Sequence, residues 1–257
     1  FKDHHIKMRP IPLDEKGLSI THLRNSHIKA IYVTPSHQFP IGHVMPISRR
    51  LELLEWAKEE NAYIIEDDYD GEFRYAGKPI PALQGLDSYD HVIYMGTFSK
   101  SLIPSIKISY MVLPKNLINV YRKNSYYVQT VSRLHQHTLQ LFMESGHWER
   151  HLNKSRNNYK KRYEALIKAI HQIFGDKMKI YGDSGGLHLL LEPNNNMSED
   201  ELIEKATIKG VKVYPTSIFY ATPSEELSAK VMLGFANLNE EEIFQGIELL
   251  NKAWYEC

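Results

Sequence analysis

Tyr63-Ile64-Ile65-Glu66-Asp67-Asp68-Tyr69-Asp70 is the stretch that decides the fold. An aromatic and two β-branched residues in succession read as a strand, and the carboxylates behind them end it. Open α/β sheets bind ligands where strands deliver side chains at their C-terminal ends, so the carboxylates stand where chemistry is expected. Working outward, Ile31-Tyr32-Val33 reads as a preceding strand closed by Thr34-Pro35. His91 to Met95 reads as a third strand and Ser109 to Leu113 as a fourth, stopped by Pro114. Between the first two, Leu51, Leu54 and Ala57 recur at helical spacing, and Ser48 is placed to cap that helix. Strands alternating with helical stretches predict βαβ units and a mainly parallel sheet.

Beyond Leu117 the pattern is helical to about Phe174, with Gly146 as the evident break. Arg150 to Ile173 is long enough to bridge two bodies, so the boundary is placed within it, dividing the chain into 1–152 and 153–257. The second part reads as strands at 187–191, 211–213 and 231–233 with helices at 199–209 and 240–254. It is a small α+β domain behind an α/β domain. No internal repeat or low-complexity tract suggests a third module.

Composition excludes several classes. Thirty-one Lys and Arg balance thirty-one Asp and Glu, so no global field draws the chain to nucleic acid or anionic lipid. With Cys257 as the only cysteine, an internal disulfide cannot form and a cytoplasmic setting is expected. The thirteen histidines, His4/His5 and His135/His137 among them, show no metal-ligand spacing, so no metal is expected. No apolar run reaches the ~18 residues a membrane helix needs. The chain starts on Phe1-Lys2-Asp3 without initiator Met or signal pattern, which suggests a piece of something longer.

Met95-Gly96-Thr97-Phe98-Ser99-Lys100 puts one lysine among hydroxyls just past the third strand. Partial desolvation there would lower its pKa and ready the amine for a Schiff base with an aldehyde cofactor. Thr97, Ser99 and nearby backbone N–H groups can hold a phosphate. A single lysine near Ser and Thr equally fits a solvated loop. Pyridoxal phosphate asks its protein for a carboxylate on the pyridine nitrogen, a hydroxyl beside the phenolic oxygen and an amine for the aldehyde. Asp67, Tyr69 and Lys100 can supply one each, although paired carboxylates also cap helices and bind cations.

Tyr32 to Pro40, Ile64 to Asp70 and Tyr94 to Leu102, taken in order, resemble the aminotransferase-like domain of the MocR/GabR regulators, in the GntR superfamily. Ser184-Gly185-Gly186-Leu187-His188, Val211 to Pro215 and Leu233-Gly234-Phe235-Ala236 stay in register with the same family. The resemblance implies a fold-type I domain for pyridoxal 5′-phosphate: part of the large domain, then the small one. It implies Lys100 as the Schiff-base lysine, Asp67 on the pyridine nitrogen, Tyr69 on the phenolic oxygen, and Thr97 and Ser99 near the phosphate. It places His37 at the cofactor's rim, where it is either an effector contact or part of a turn. The family's winged helix-turn-helix and the turn that cradles the phosphate are expected upstream of Phe1.

Two residues depart from that pattern. The family's phosphate-clamping arginine is Lys107 here, a point charge without the bidentate fork. Its effector-carboxylate arginine is Asn237, a change worth roughly 1.5–3 kcal/mol, or about tenfold to a hundredfold in affinity. The implied function is effector sensing and dimerisation in a bacterial transcription factor, with an amine or amino compound captured as an external aldimine and DNA bound by the upstream domain. The alternative is a working fold-type I aminotransferase, which would be expected to keep an arginine near Asn237. Tyr126-Tyr127 read as packing or a homodimer contact, and Arg122, Lys123 and Arg133 as solvated helix decoration.

Overall fold

The computed structural model describes residues 4–14, 16–75, 77, 79–124, 131–221 and 228–256. Tyr126, Tyr127 and Cys257 lie outside the described residues. The chain forms two compact units. One takes in the described residues within 1–38, 43–70 and 78–148, the other those within 39–42, 71–77 and 149–257.

The first unit opens with the hairpin β1 (Leu13–Asp14) and β2 (Gly17–Leu18) and the short helix α1 (Ile20–Arg24). Then come β3 (Ala30–Val33), α2 (Ile47–Glu60), β4 (Tyr63–Asp68), α3 (Leu83–Leu86), β5 (Val92–Thr97) and β6 (Ser109–Val112). The sheet order is β3-β4-β5-β6. β3, β4 and β5 run parallel, as the alternation of strands and helices predicts, whereas β6 is antiparallel to β5. The reason is the connection: after β5 the chain makes only a short turn through 98–108, with a 3-10 turn at Pro104–Ile106, and parallel return needs a crossover of a dozen or more residues. Gly96 faces Tyr110 across that pair, and a Cβ there would come within 2.4 Å of the Tyr110 ring.

Strand alternation gives the sheet two unlike faces. Ile31, Val33, Ile64 and Val92 are buried in one cluster with Leu53, Leu54, Trp56 and Ala57 of α2. Tyr32 and Asp67 point to the other face, which is less covered. α2 begins on Pro46 rather than Ser48, which lies inside the helix, and Leu51 stays exposed while Leu54 and Ala57 are buried. A buried ion pair stitches the loops at the C-terminal edge together. Arg50, 1% exposed, donates to the carbonyls of Met45, Pro81 and Pro35 at 3.1, 3.0 and 2.9 Å. Its guanidinium lies 3.7 Å from Glu66, which in turn accepts from the Leu83 and Gln84 amides.

α4 (Lys115–Asn124) and α5 (Arg133–Glu144) carry Arg122, Lys123 and Arg133 exposed, as read from the sequence. Gly146, at φ 68°, turns the chain into the 28-residue helix α6 (His147–Phe174). Leu166, Ala169, Ile170 and Phe174 of α6, at i, i+3, i+4 and i+8, enter the second unit's core. That unit continues with β7 (Met178–Tyr181), β8 (His188–Pro193), α7 (Glu199–Ile208), β9 (Tyr214–Pro215), β10 (Val231–Gly234) and α8 (Glu240–Trp254). The antiparallel sheet runs β7-β8-β10-β9. Residues 211–213, expected as a strand, are not one; the pairing falls on Tyr214 and Pro215 instead. Val213 is nevertheless buried in the core, so its apolar character reports burial rather than strand pairing. Among the described residues no helix is long and apolar enough to cross a membrane.

Candidate functional site

Most of the candidate residues follow the C-terminal ends of three neighbouring parallel strands: His37 after β3, Asp67 and Tyr69 at the end of β4, and Thr97, Ser99 and Lys100 at the end of β5. Parallel pairing sets Val33 opposite Glu66 and Asp68 opposite Gly96, so the turns after β3, β4 and β5 leave the sheet side by side. Asp67 is half-buried and accepts a hydrogen bond from the Tyr32 hydroxyl on the neighbouring strand. Burial raises the Asp67 pKa; the Tyr32 bond works the other way, and the charges of Asp68 and Asp70 add to the rise. Among the described residues no cation figures among these influences. Asp68 accepts from Tyr94 at 2.9 Å.

Tyr69 and Asp70 meet His37 from the turn after β3. The Tyr69 hydroxyl donates to the His37 carbonyl at 3.0 Å. His37 Nδ1 lies 3.1 Å from that hydroxyl and 3.0 Å from Asp70 Oδ2. His37 and Asp70 are each 2% exposed. Burial, followed by the charges of Asp70 and Asp67, pushes the Tyr69 phenol up, and it stays a proton donor.

Past β5, the Thr97 hydroxyl donates to the Ile108 carbonyl and accepts from the Ser99 amide, both at 3.2 Å. It shapes the turn that presents Lys100. Lys100 is exposed, so the partial desolvation expected from its place behind a strand is not found. Lys107, also exposed, sits at φ 49° where the 3-10 turn gives way to β6. Asn237 belongs to the second unit, exposed just after Ala236, whose carbonyl accepts from Arg162. The sequence reading missed Tyr32 as the partner of Asp67 and Asp70 as the partner of His37. Tyr32 pairs with Ile65, two residues before Asp67 and on the same face of the sheet, so its long side chain reaches the carboxylate along the strand direction; a tyrosine on a neighbouring predicted strand is the signal that could have found the first.

In the second unit the stretch 71–75 lies against the Gly185-Gly186 turn. The Gly186 amide donates to the Phe73 carbonyl at 2.7 Å and the Tyr75 hydroxyl to the Gly186 carbonyl at 2.8 Å. A Cβ on Gly185 would sit 2.9 Å from the Phe73 carbonyl oxygen, which is why glycine stands there.

The mixed sheet, with β3, β4 and β5 parallel and β6 antiparallel between helices, has the α/β architecture of fold-type I aminotransferases. The chain belongs to the aminotransferase class I and II family, whose model matches residues 1–250. Family membership implies pyridoxal phosphate as cofactor. The chain is similar to the uncharacterized HTH-type transcriptional regulator YdeL of Bacillus subtilis: 46% identical over 99% of this chain and 55% of that protein. It is 32% identical to the probable rhizopine catabolism regulatory protein MocR of Rhizobium meliloti, over 96% of this chain and 50% of that protein. Among solved structures it resembles a Pyrococcus horikoshii kynurenine aminotransferase, with TM-score 0.84 and 30% identity over 96% of this chain and 63% of that one. The chain spans about half the length of the curated relatives it matches. This pattern fits the C-terminal domain of a MocR-type regulator, as the motifs implied.

Proposed function

We propose that the chain is the effector-sensing domain of a transcription regulator that uses pyridoxal phosphate to bind an amine or amino compound. The observation that carries this reading is Asp67: a half-buried carboxylate with like charges around it and its pKa raised by burial. A protonated pyridine nitrogen brings the positive charge this carboxylate lacks, so the residues present fit the cofactor. Asp67 would hold that nitrogen, Tyr69 would donate to the phenolic oxygen, and Lys100 would attach through its amine. Thr97, Ser99 and Lys107 would attend the phosphate. When bound, the cofactor supplies an aldehyde that captures amines and a ring that draws electrons from what it captures.

Lys100, exposed at the head of its turn, is open to exchange with an incoming amine. Asn237 offers an amide where a carboxylate clamp would need a guanidinium, which favours sensing over turnover. The relatives named as an HTH-type transcriptional regulator and a catabolism regulatory protein support the same choice; on this reading DNA is contacted by a helix-turn-helix outside this chain, and the protein is homodimeric and cytoplasmic. Similarity to an aminotransferase of known structure supports the second reading, a working enzyme.

Full-length protein loaded with pyridoxal phosphate and treated with borohydride should carry the label on Lys100, located by peptide mass spectrometry; a label elsewhere defeats the assignment. Amines should shift the visible band, while transamination of common amino acids with 2-oxoglutarate stays negligible. Turnover near ~10 s⁻¹, an ordinary enzyme value, would make the aminotransferase the better account.

A further inference from the structure

We propose that His37, oriented by Asp70, is the positioning residue that fixes the Tyr69 hydroxyl and sets how strongly it donates to the cofactor's phenolic oxygen. The proposal rests on the reading of Asp67, Tyr69 and Lys100 as cofactor ligands. Tyr69 is gripped twice by one residue. Its oxygen lies 3.0 Å from the His37 carbonyl and 3.1 Å from His37 Nδ1. A phenol has one proton, and here it goes to the carbonyl, so the approach of Nδ1 is productive only if Nδ1 brings a proton of its own.

Asp70 enforces that tautomer. Its Oδ2 stands 3.0 Å from the same Nδ1, and an ionised carboxylate only accepts. The assignment follows from the hydrogen-bond network, with the Nδ1 proton shared between Asp70 and Tyr69. The two side chains are 1% and 2% exposed, so water does not weaken the bond. Local structure makes the arrangement: His37 follows β3, Tyr69 and Asp70 follow β4, and parallel pairing of those strands sets the turns next to each other.

Other charges facing Tyr69 are the carboxylates of Asp67, Asp68 and Asp70, with the hydroxyl of Tyr32 beside them. With burial they keep the Tyr69 proton in place. When an anionic oxygen is offered, the Tyr69 proton can turn from the neutral carbonyl to the better acceptor, while Nδ1 keeps its own proton, donates it to the Tyr69 oxygen and polarises the hydroxyl. Loss of the His37 ring then weakens donation without removing the donor.

The test follows the visible band of pyridoxal phosphate bound to the full-length protein as pH is varied, which needs no turnover. His37→Leu should raise the apparent pKa of that band by about one unit. His37→Asn, whose amide N–H reaches the place of Nδ1, should restore most of the original value. In a Tyr69→Phe background His37→Leu should shift the band no further, because a residue that acts through Tyr69 has nothing left to act on. Equal shifts in both backgrounds, or no shift with His37→Leu, overturn the proposal. Should His37→Leu not fold, Asp70→Asn poses the same question: it must move the band with Tyr69 present and leave it with Tyr69→Phe. Failure of the underlying reading shows separately, as borohydride labelling that misses Lys100 in the unmodified protein.

Discussion

In the second unit Glu192 lies 3.3 Å from the Lys230 amine and 2.7 Å from the Tyr181 hydroxyl. Burial works against its charge, yet hydrogen bonds from Tyr181 and Ser228 and the Lys230 charge bring its pKa down to about 2. In the first unit burial raises Asp67, and the Tyr32 hydroxyl opposes it. Packing differs in the same sense. Leu189, Leu191 and Val231 are fully buried, and both following helices carry capping boxes, Ser198 with Glu201 and Asn239 with Glu242. In the first unit every residue of β6 is exposed, and α4 and α5 bury none of their described residues. One unit satisfies its own charges and encloses its own core. The other maintains a carboxylate at a cost in stability, a pattern natural proteins show where a ligand is to be met.

The largest expected effect breaks this contrast, because the first unit contains one region satisfied as fully as anything in the second. Arg50→Ala would leave the buried Glu66 charge without its cation and take a donor from three loop carbonyls, and it should cost about 3–5 kcal/mol in urea unfolding. A loss below about 1 kcal/mol would mean that the loops are held by packing alone. Leu191→Ala in the second unit should cost about 2–5 kcal/mol, since the side chain is fully buried. Hydrogen exchange sharpens the same point: amides of β8 and β10 should be the slowest in the protein, and those of α5 among the fastest. Asn239→Ala removes one half of a capping box and should lower stability by about 1 kcal/mol.

The smallest expected effects are those of pH, and they have opposite signs in the two units. Glu192 has a folded pKa below its ordinary 4.5, so its contribution is present above that value and is lost as pH falls toward about 2. Asp67 has a folded pKa above its ordinary 3.8, so it disfavours folding at neutral pH and the penalty fades as acid protonates it. In cofactor-free protein at pH 7, Glu192→Gln should lower the melting midpoint and Asp67→Asn should raise it. Both differences should disappear once both carboxyls are protonated. A lowered midpoint for Asp67→Asn would show that the Tyr32 bond outweighs burial, and the contrast between the units would fail at the site itself.

Much of the fold was legible because it is local. The strands read at 63–65 and 91–95 fall within β4 and overlap β5, and the closing helix read at 240–254 is α8. That Asp67 and Tyr69 stand at one strand end and Thr97, Ser99 and Lys100 at the next was legible because each motif lies within a few residues of its strand. Strand direction was less so: β6 turns antiparallel because its connection is short, and the apolar run at 211–213 serves the core without pairing.

By itself, then, the sequence determined which residues stand at the ends of which strands, since side-chain alternation and chain breaks act over a few residues. Only the tertiary structure decided that Tyr32 donates to Asp67, that His37 is buried between Tyr69 and Asp70, and that Arg50 reaches Glu66. Each of these contacts joins side chains from separate segments of the first unit. Their partners are chosen by strand register and by the exclusion of water at a sheet edge, quantities that exist only once the strands have paired.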